Sequence, residues 1–144
     1  MKAVMGEEIS YEKLKIREYN LWTLYLNEYQ CYLGRVCLVA NRSDAKDFID
    51  ITEAEREEFF SIGKAVNAAL KRLFAPDLMN YCALGNNFKH LHVHIIPRYQ
   101  DERVFNGITF VDKRWGSNYA PYDRDFRLTL KELDAIKQAL SEAL

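Results

Sequence analysis

His90, His92 and His94 stand at alternating positions, with Leu91 and Val93 between them and Ile95-Ile96-Pro97-Arg98 after them. They are the only three histidines of the chain. Successive side chains of a β-strand point to opposite faces, so this run reads as a strand. Leu91, Val93 and Ile95 then belong in a core, and the three imidazoles line the other face. A strand is stiff enough to aim them. Imidazole changes charge close to neutral pH, so a row of three makes a place for proton transfer, nucleophilic attack or metal binding.

Two chemistries compete for such a row. Zinc accepts imidazole nitrogen, and histidines at i and i+2 of a strand can share one ion. A metal-dependent hydrolase using His90 and His92 is therefore one reading, with a further ligand supplied from elsewhere. At a rise of roughly 3.3 Å per residue, His90 and His94 lie about 13 Å apart, too far for one ion to hold all three on a straight strand. The other reading is covalent catalysis. The central imidazole attacks phosphorus or an acyl carbon, and its neighbours bind the group under attack. The turn just upstream, Gly85-Asn86-Asn87, then offers amide and backbone donors to charge on phosphoryl oxygens.

The rest of the chain supplies a frame for that strand. Leu21 to Leu26 and Arg35 to Ala40 are rich in strand formers, with Gly34 breaking the stretch before the second; they read as antiparallel neighbours. Thr52 and Glu55 fit a capping box. Phe59, Ile62, Val66, Leu70 and Leu73 follow at helical spacing, which predicts a helix over about 53–74 with Pro76 just past its end. Met79 to Leu84 is another strand-like run. Residues 8–18 are charged and amphipathic and suggest a short helix starting near Ser10. Residues 97–128 show no clear period but carry Trp115, Gly116 and several tyrosines; an irregular segment this long is often functional. Trp115 is a candidate substrate wall, and Arg98, following Pro97, reads as a solvated charge. A second capping box at Thr129 and Glu132 opens a C-terminal helix over about 129–143. The pattern predicts an α+β domain with a mainly antiparallel sheet of about five strands. One domain is expected over 1–144, with its core over about 20–120.

Composition narrows the function. A formal net charge of −1 argues against a nucleic-acid binder that relies on a basic patch. No apolar run nears the roughly 20 residues that span a bilayer, so no membrane partner is expected. The N-terminus shows no apolar leader, which points to the cytoplasm. Cys31, Cys37 and Cys82 have no CxxC spacing and read as small buried hydrophobes in a reducing compartment.

The histidine run His90-Leu91-His92-Val93-His94-Ile95-Ile96 resembles the signature of the histidine-triad (HIT) superfamily of nucleotide hydrolases and transferases. The likeness extends through Asn80 to Asn86, Pro97-Arg98-Tyr99 and Tyr32 to Val39, over roughly residues 20–120. Arg114-Trp115-Gly116 resembles the bacterial branch described as diadenosine-polyphosphate-hydrolase-like. The resemblance implies a HIT-like fold and a homodimer with sheets joined across the interface. It implies attack by His92 at an α-phosphorus, through a covalent nucleotidyl-histidine, with a dinucleoside polyphosphate or related nucleotide conjugate as substrate. His94 would contact the α-phosphate, and His90 would support the site and the nucleophile's tautomer. Asn86 and Asn87 stand where the family's phosphate-binding turn lies, Asn80 near a phosphate-contacting Asn or Gln, and Asn27 at the spacing of a ribose ligand. No cofactor is needed for the covalent step, although magnesium can accompany a polyphosphate. Two departures stand out. Arg35 occupies the place of a fourth histidine and offers a phosphate a permanent charge. Asn86 replaces a longer Gln. Arg35 also keeps open a non-catalytic nucleotide-binding HIT module.

Overall fold

The computed structural model describes residues 3–4 and 7–144, with side chains from Ile9 onward. Met1, Lys2, Met5 and Gly6, part of the segment read for a leader, lie outside the described residues. A two-stranded pair, β1 (Ala3–Val4) and β2 (Glu7–Glu8), precedes the short helix α1 (Tyr11–Leu14). The main sheet is built from β3 (Lys15–Glu18), β4 (Trp22–Leu26), β5 (Val36–Ala40), β6 (Leu78–Cys82) and β7 (His92–Arg98). Its order is β3-β4-β5-β7-β6, with every neighbouring pair antiparallel. The expected α+β architecture and five-stranded sheet are thus present.

The long helix α2 (Glu53–Phe74) lies between β5 and β6 in sequence. Its start and end match the expected span. Thr52 accepts from the Glu55 amide, and Glu55 accepts from the Thr52 amide, a reciprocal cap that satisfies two otherwise orphaned donors. Ala75 ends the helix in the left-handed conformation at φ 50°, one residue before Pro76. Phe59, Ile62, Val66 and Leu70 are buried in one core cluster with Leu24, Leu38, Val93 and Ile95 from the sheet. Leu73, expected on the same stripe, is instead partly exposed, and Ala69 and Phe74 complete the buried face. The first turns of α2 are pinned to β4. Glu58 accepts from the amides of Leu21 and Trp22, and the Trp22 indole donates to the Glu55 carbonyl.

Gly34 is fixed by both conformation and space. Its φ is +88°, and an added Cβ would sit 2.6 Å from Leu70 Cδ2. The β4–β5 connection therefore passes directly over α2 at the only residue type that fits.

Three local expectations need correction. Helix covers only Tyr11–Leu14; Lys15–Glu18 is strand, because it pairs with β4 as a charged edge. His90 precedes β7 rather than lying in it, though the alternation holds: Leu91, Val93 and Ile95 are buried. The stretch 97–128 contains a hairpin, β8 (Arg103–Phe105) and β9 (Ile108–Phe110), closed by Asn106 and Gly107 at φ 53° and 80°. Two positive φ values match the tight hairpin turn that Asn-Gly favours. Helix α3 (Leu130–Ala143) follows its own capping box and packs on α2 and β3.

Candidate active site

Strand register assembles the site on the sheet face away from α2. Tyr25 pairs with Cys37, Cys37 with His94, and His94 with Cys82; Val39 pairs with His92. Because side chains alternate, Tyr25, Cys37, Val39, His92 and His94 share one face. They floor a cavity of about 390 Å³. The loop carrying Asn86, Asn87 and Phe88 closes one end. Asn27, Arg35, Tyr119, Tyr122 and Arg124 close the other.

Each histidine is held differently. His92 Nδ1 lies 2.9 Å from the His90 carbonyl oxygen. A carbonyl only accepts, so Nδ1 carries a proton, and in the neutral ring Nε2 keeps its lone pair. That is the tautomer of a nucleophile. The His90 ring does something else: its Nε2 lies 2.5 Å from the Ala40 carbonyl. It clamps the entry of β7 to the end of β5, beside the Ala40 amide to Leu91 carbonyl bond. His90 thus supports His92 through its backbone rather than its imidazole. His94 meets His92 edge to face, with ring centroids 5.0 Å apart. Burial, then the Arg35 charge, then His92 push the His94 pKa down to about 3. It is therefore a neutral imidazole near pH 7, and its Nδ1 is buried without a hydrogen-bond partner.

That depression has a consequence for stability. The folded pKa lies below the unfolded value near 6.5, so the unfolded chain binds the extra proton first. The contribution is whole above pH 6.5 and drains as pH falls towards 3. The slope is at most about 1.4 kcal/mol per pH unit. Denaturant melts between pH 7 and pH 4 are expected to show this loss, and His94→Asn to show a shallower one. Identical slopes would remove His94 as the cause.

Arg35 is buried, 2% exposed, with its guanidinium carbon 4.5 Å from the Tyr122 ring centre and 5.4 Å from that of Tyr119. Its Nε and Nη1 have no hydrogen-bond partner. Asn27 accepts the Tyr29 amide at Oδ1, which leaves its Nδ2 for the cavity. Asn27, Arg35, Asn86, Asn87, His92 and His94 are thus brought together. Asn80 and Trp115 are not. Asn80 accepts from Arg98 Nη1 at 2.9 Å, and Trp115 is exposed on the turn after Asp112.

Arg98 is the clearest departure from expectation. It is buried, not solvated. Its Nε and Nη2 grip Asp112 at 2.7 and 3.1 Å, and it also donates to the carbonyls of Arg114 and Ser117. Pro97 and the strand end gave no sign of an acid fourteen residues on. This pair anchors the irregular stretch that carries Tyr119 and Tyr122. Arg114 adds bonds to the carbonyls of Asn118 and Ala120, and the Tyr32 hydroxyl donates to that of Tyr119. Tyr11, Tyr25, Phe88, Tyr119, Tyr122 and Arg124 line the cavity without having been singled out from sequence. Only the tyrosine density of 97–128 hinted at part of this set.

Solved structures with this fold include a histidine triad protein from Sinorhizobium meliloti 1021, at TM-score 0.75 and 22% identity over 92% of both chains. Another, from Marinobacter aquaeolei VT8, aligns at TM-score 0.75 and 24% identity, covering 92% of this chain and 93% of that one. The chain belongs to the HIT domain family, whose model matches residues 25–101 and so takes in all three histidines. Curated relatives include bis(5'-adenosyl)-triphosphatases of Saccharomyces cerevisiae strains, among them YJM789 and S288c, 29% identical over 92 residues. That match covers 59% of this chain but only 44% of theirs, so the chain spans less than half the length of those relatives.

Proposed function

We propose that the protein is a nucleotide hydrolase or nucleotidyl transferase that works through His92. The observation that carries this reading is the His92 hydrogen bond: Nδ1 is committed to the His90 carbonyl, so the neutral ring presents its lone pair at Nε2. In the proposed cycle Nε2 attacks the α-phosphorus of a dinucleoside polyphosphate. The bond from that phosphorus to the bridging oxygen breaks, and the remaining nucleotide leaves. Water then attacks the nucleotidyl-histidine and releases the mononucleotide, returning His92 to its starting form. Neutral His94 and the amides of Asn86 and Asn87 hold the phosphoryl oxygens, and Asn27 holds the ribose. Such preorganised donors stabilise charge as it builds in the transition state. The covalent step uses protein groups alone, with magnesium accompanying a polyphosphate substrate. Likeness to the yeast triphosphatases supports diadenosine triphosphate as the first compound to try.

The metal-dependent reading fares less well on geometry. His90 spends Nε2 and His92 spends Nδ1 on backbone carbonyls. Among the described residues no group of three His, Cys, Asp or Glu side chains converges as metal ligands would. Hydrolysis of diadenosine triphosphate in ¹⁸O-labelled water tests the preferred reading. The label is expected in AMP and not in ADP, because water enters at the α-phosphorus. Label in ADP would mean attack at the central phosphorus and would sink it.

A homodimer is part of this proposal. The edge strand β6 is unpaired on one side among the described residues. Beside it Phe48, Phe60 and Tyr81 are exposed around an apolar groove that Val93 and Ile95 also line. A second copy joining at β6 would cover both the open edge and the groove. Sedimentation is expected to give twice the chain mass, and Tyr81→Lys to shift it to monomer. A wild-type monomer at micromolar concentration would count against it. A cytoplasmic location is proposed with it, in keeping with three free cysteines. No helix among the described residues is long and apolar enough to cross a membrane.

A further inference from the structure

We propose that Arg35 and Arg124 form a leaving-group phosphate site that selects substrates with an anionic chain beyond the scissile bond. The proposal rests on the reading of His92 as attacking an α-phosphorus. Three observations carry it.

The first is a buried guanidinium with unfilled donors. Arg35 is 2% exposed, and two of its N–H-bearing nitrogens find no acceptor. Its only described partners are the faces of Tyr119 and Tyr122. Ring faces attract a cation but accept no conventional hydrogen bond, so the guanidinium remains a donor in need of acceptors. Buried guanidinium groups are normally paired. A buried guanidinium with two unfilled donors offers an anionic ligand the hydrogen bonds it requires.

The second is a second cation on the same ring. The Arg124 guanidinium carbon lies 5.1 Å from the Tyr122 centre, and Arg124 also lines the cavity. Glu28, a buried carboxylate with interactions of its own, lines the same cavity. Two like charges sharing one aromatic ring repel each other, and a polyphosphate between them would turn repulsion into attraction.

The third is direction. His92 pairs with Val39 and His94 with Cys37. Arg35 lies two residues further along, roughly 6.6 Å at strand rise. The order along the sheet is His92, His94, Arg35. In an in-line displacement the leaving oxygen departs opposite the nucleophile. With His92 attacking and His94 beside the phosphoryl oxygens, that path runs to Arg35.

Two substrates separate this role from simple support of His94. Attack on diadenosine triphosphate expels an anionic nucleotide, ADP; attack on adenosine 5'-phosphoramidate breaks its P–N bond and expels uncharged ammonia. The readout is the ratio of their kcat/KM values in wild type, Arg35→Met and Arg124→Gln. Arg35→Met is expected to lower the ratio roughly 30-fold, the size of one charge-assisted hydrogen bond. Arg124→Gln, at the exposed rim, is expected to lower it about threefold. Titration with inorganic triphosphate is expected to give weaker binding in both variants. An unchanged ratio with unchanged triphosphate binding overturns the proposal, as does an equal loss on both substrates, which would make Arg35 a positioning residue for His94. If Arg35→Met does not fold, Arg124→Gln is read by the same criteria. If the wild type turns over neither compound, the proposed function fails, and triphosphate binding by the variants alone decides the subsite.

Discussion

Replacing His92 with alanine is expected to lower diadenosine triphosphate turnover by at least about 10⁴-fold while leaving the fold intact. The size follows from losing a covalent nucleophile rather than one binding contact. The side chain sits at the cavity floor, half-buried, and its only described hydrogen bond is to the backbone before it. Truncation therefore removes little packing, and the melting temperature is expected to move by only a few degrees. The companion measurement is a rapid quench of wild type under alkaline denaturing conditions, where phosphohistidine survives. Intact mass is expected to rise by one adenylyl group, mapped to the peptide containing His92. Full activity in the alanine protein would end the nucleophilic assignment. An adduct on His90 or His94 would transfer the role.

The largest stability effect is expected at Arg98. Arg98→Ala leaves the Asp112 carboxylate buried without its partner. It also strips a donor from the carbonyls of Arg114 and Ser117 and from Asn80. Breaking a buried pair from one side costs about 3–5 kcal/mol. For a chain of this length that is a fall in melting temperature on the order of 10 °C. Activity is expected to fall with it, because the Tyr119–Tyr122 wall loses its anchor. The double variant Arg98→Met with Asp112→Leu removes both charges and is expected to recover at least about 2 kcal/mol of the single-variant loss. A loss under about 1 kcal/mol in Arg98→Ala would show that the pair is not what holds the segment.

The histidine strand and both capped helices were legible because each is specified locally. Alternation over His90–Ile95 and the Thr52 and Thr129 capping boxes depend on residues within one or two turns of each other. The hairpin was legible in principle too. Asn106-Gly107 between Val104-Phe105 and Ile108-Thr109 is a strong short-range turn signal inside a stretch that otherwise lacks a period. Strand β3 was not legible, because Lys15–Glu18 is polar and gains its conformation from pairing with β4. The far wall of the cavity was hidden for a different reason. Tyr119, Tyr122 and Arg124 line the same cavity as the histidines on a segment that the Arg98–Asp112 pair anchors, and no spacing rule encodes a pairing of that kind. Asn80 shows the converse. It lies near the expected motif position, yet its carboxamide serves Arg98.

Beyond the Arg98–Asp112 pair, several bonds that shape the far wall share a property. Arg98 and Arg114 hold it by the main-chain oxygens of Arg114, Ser117, Asn118 and Ala120, and Tyr32 holds it by that of Tyr119. Every amino acid offers that oxygen. The path of the segment is therefore indifferent to most side chains placed on it. The segment also lies beyond residue 101, where the family match ends. Such a wall has mutational latitude: new groups can be displayed toward the histidines while the strand that aims them stays unaltered.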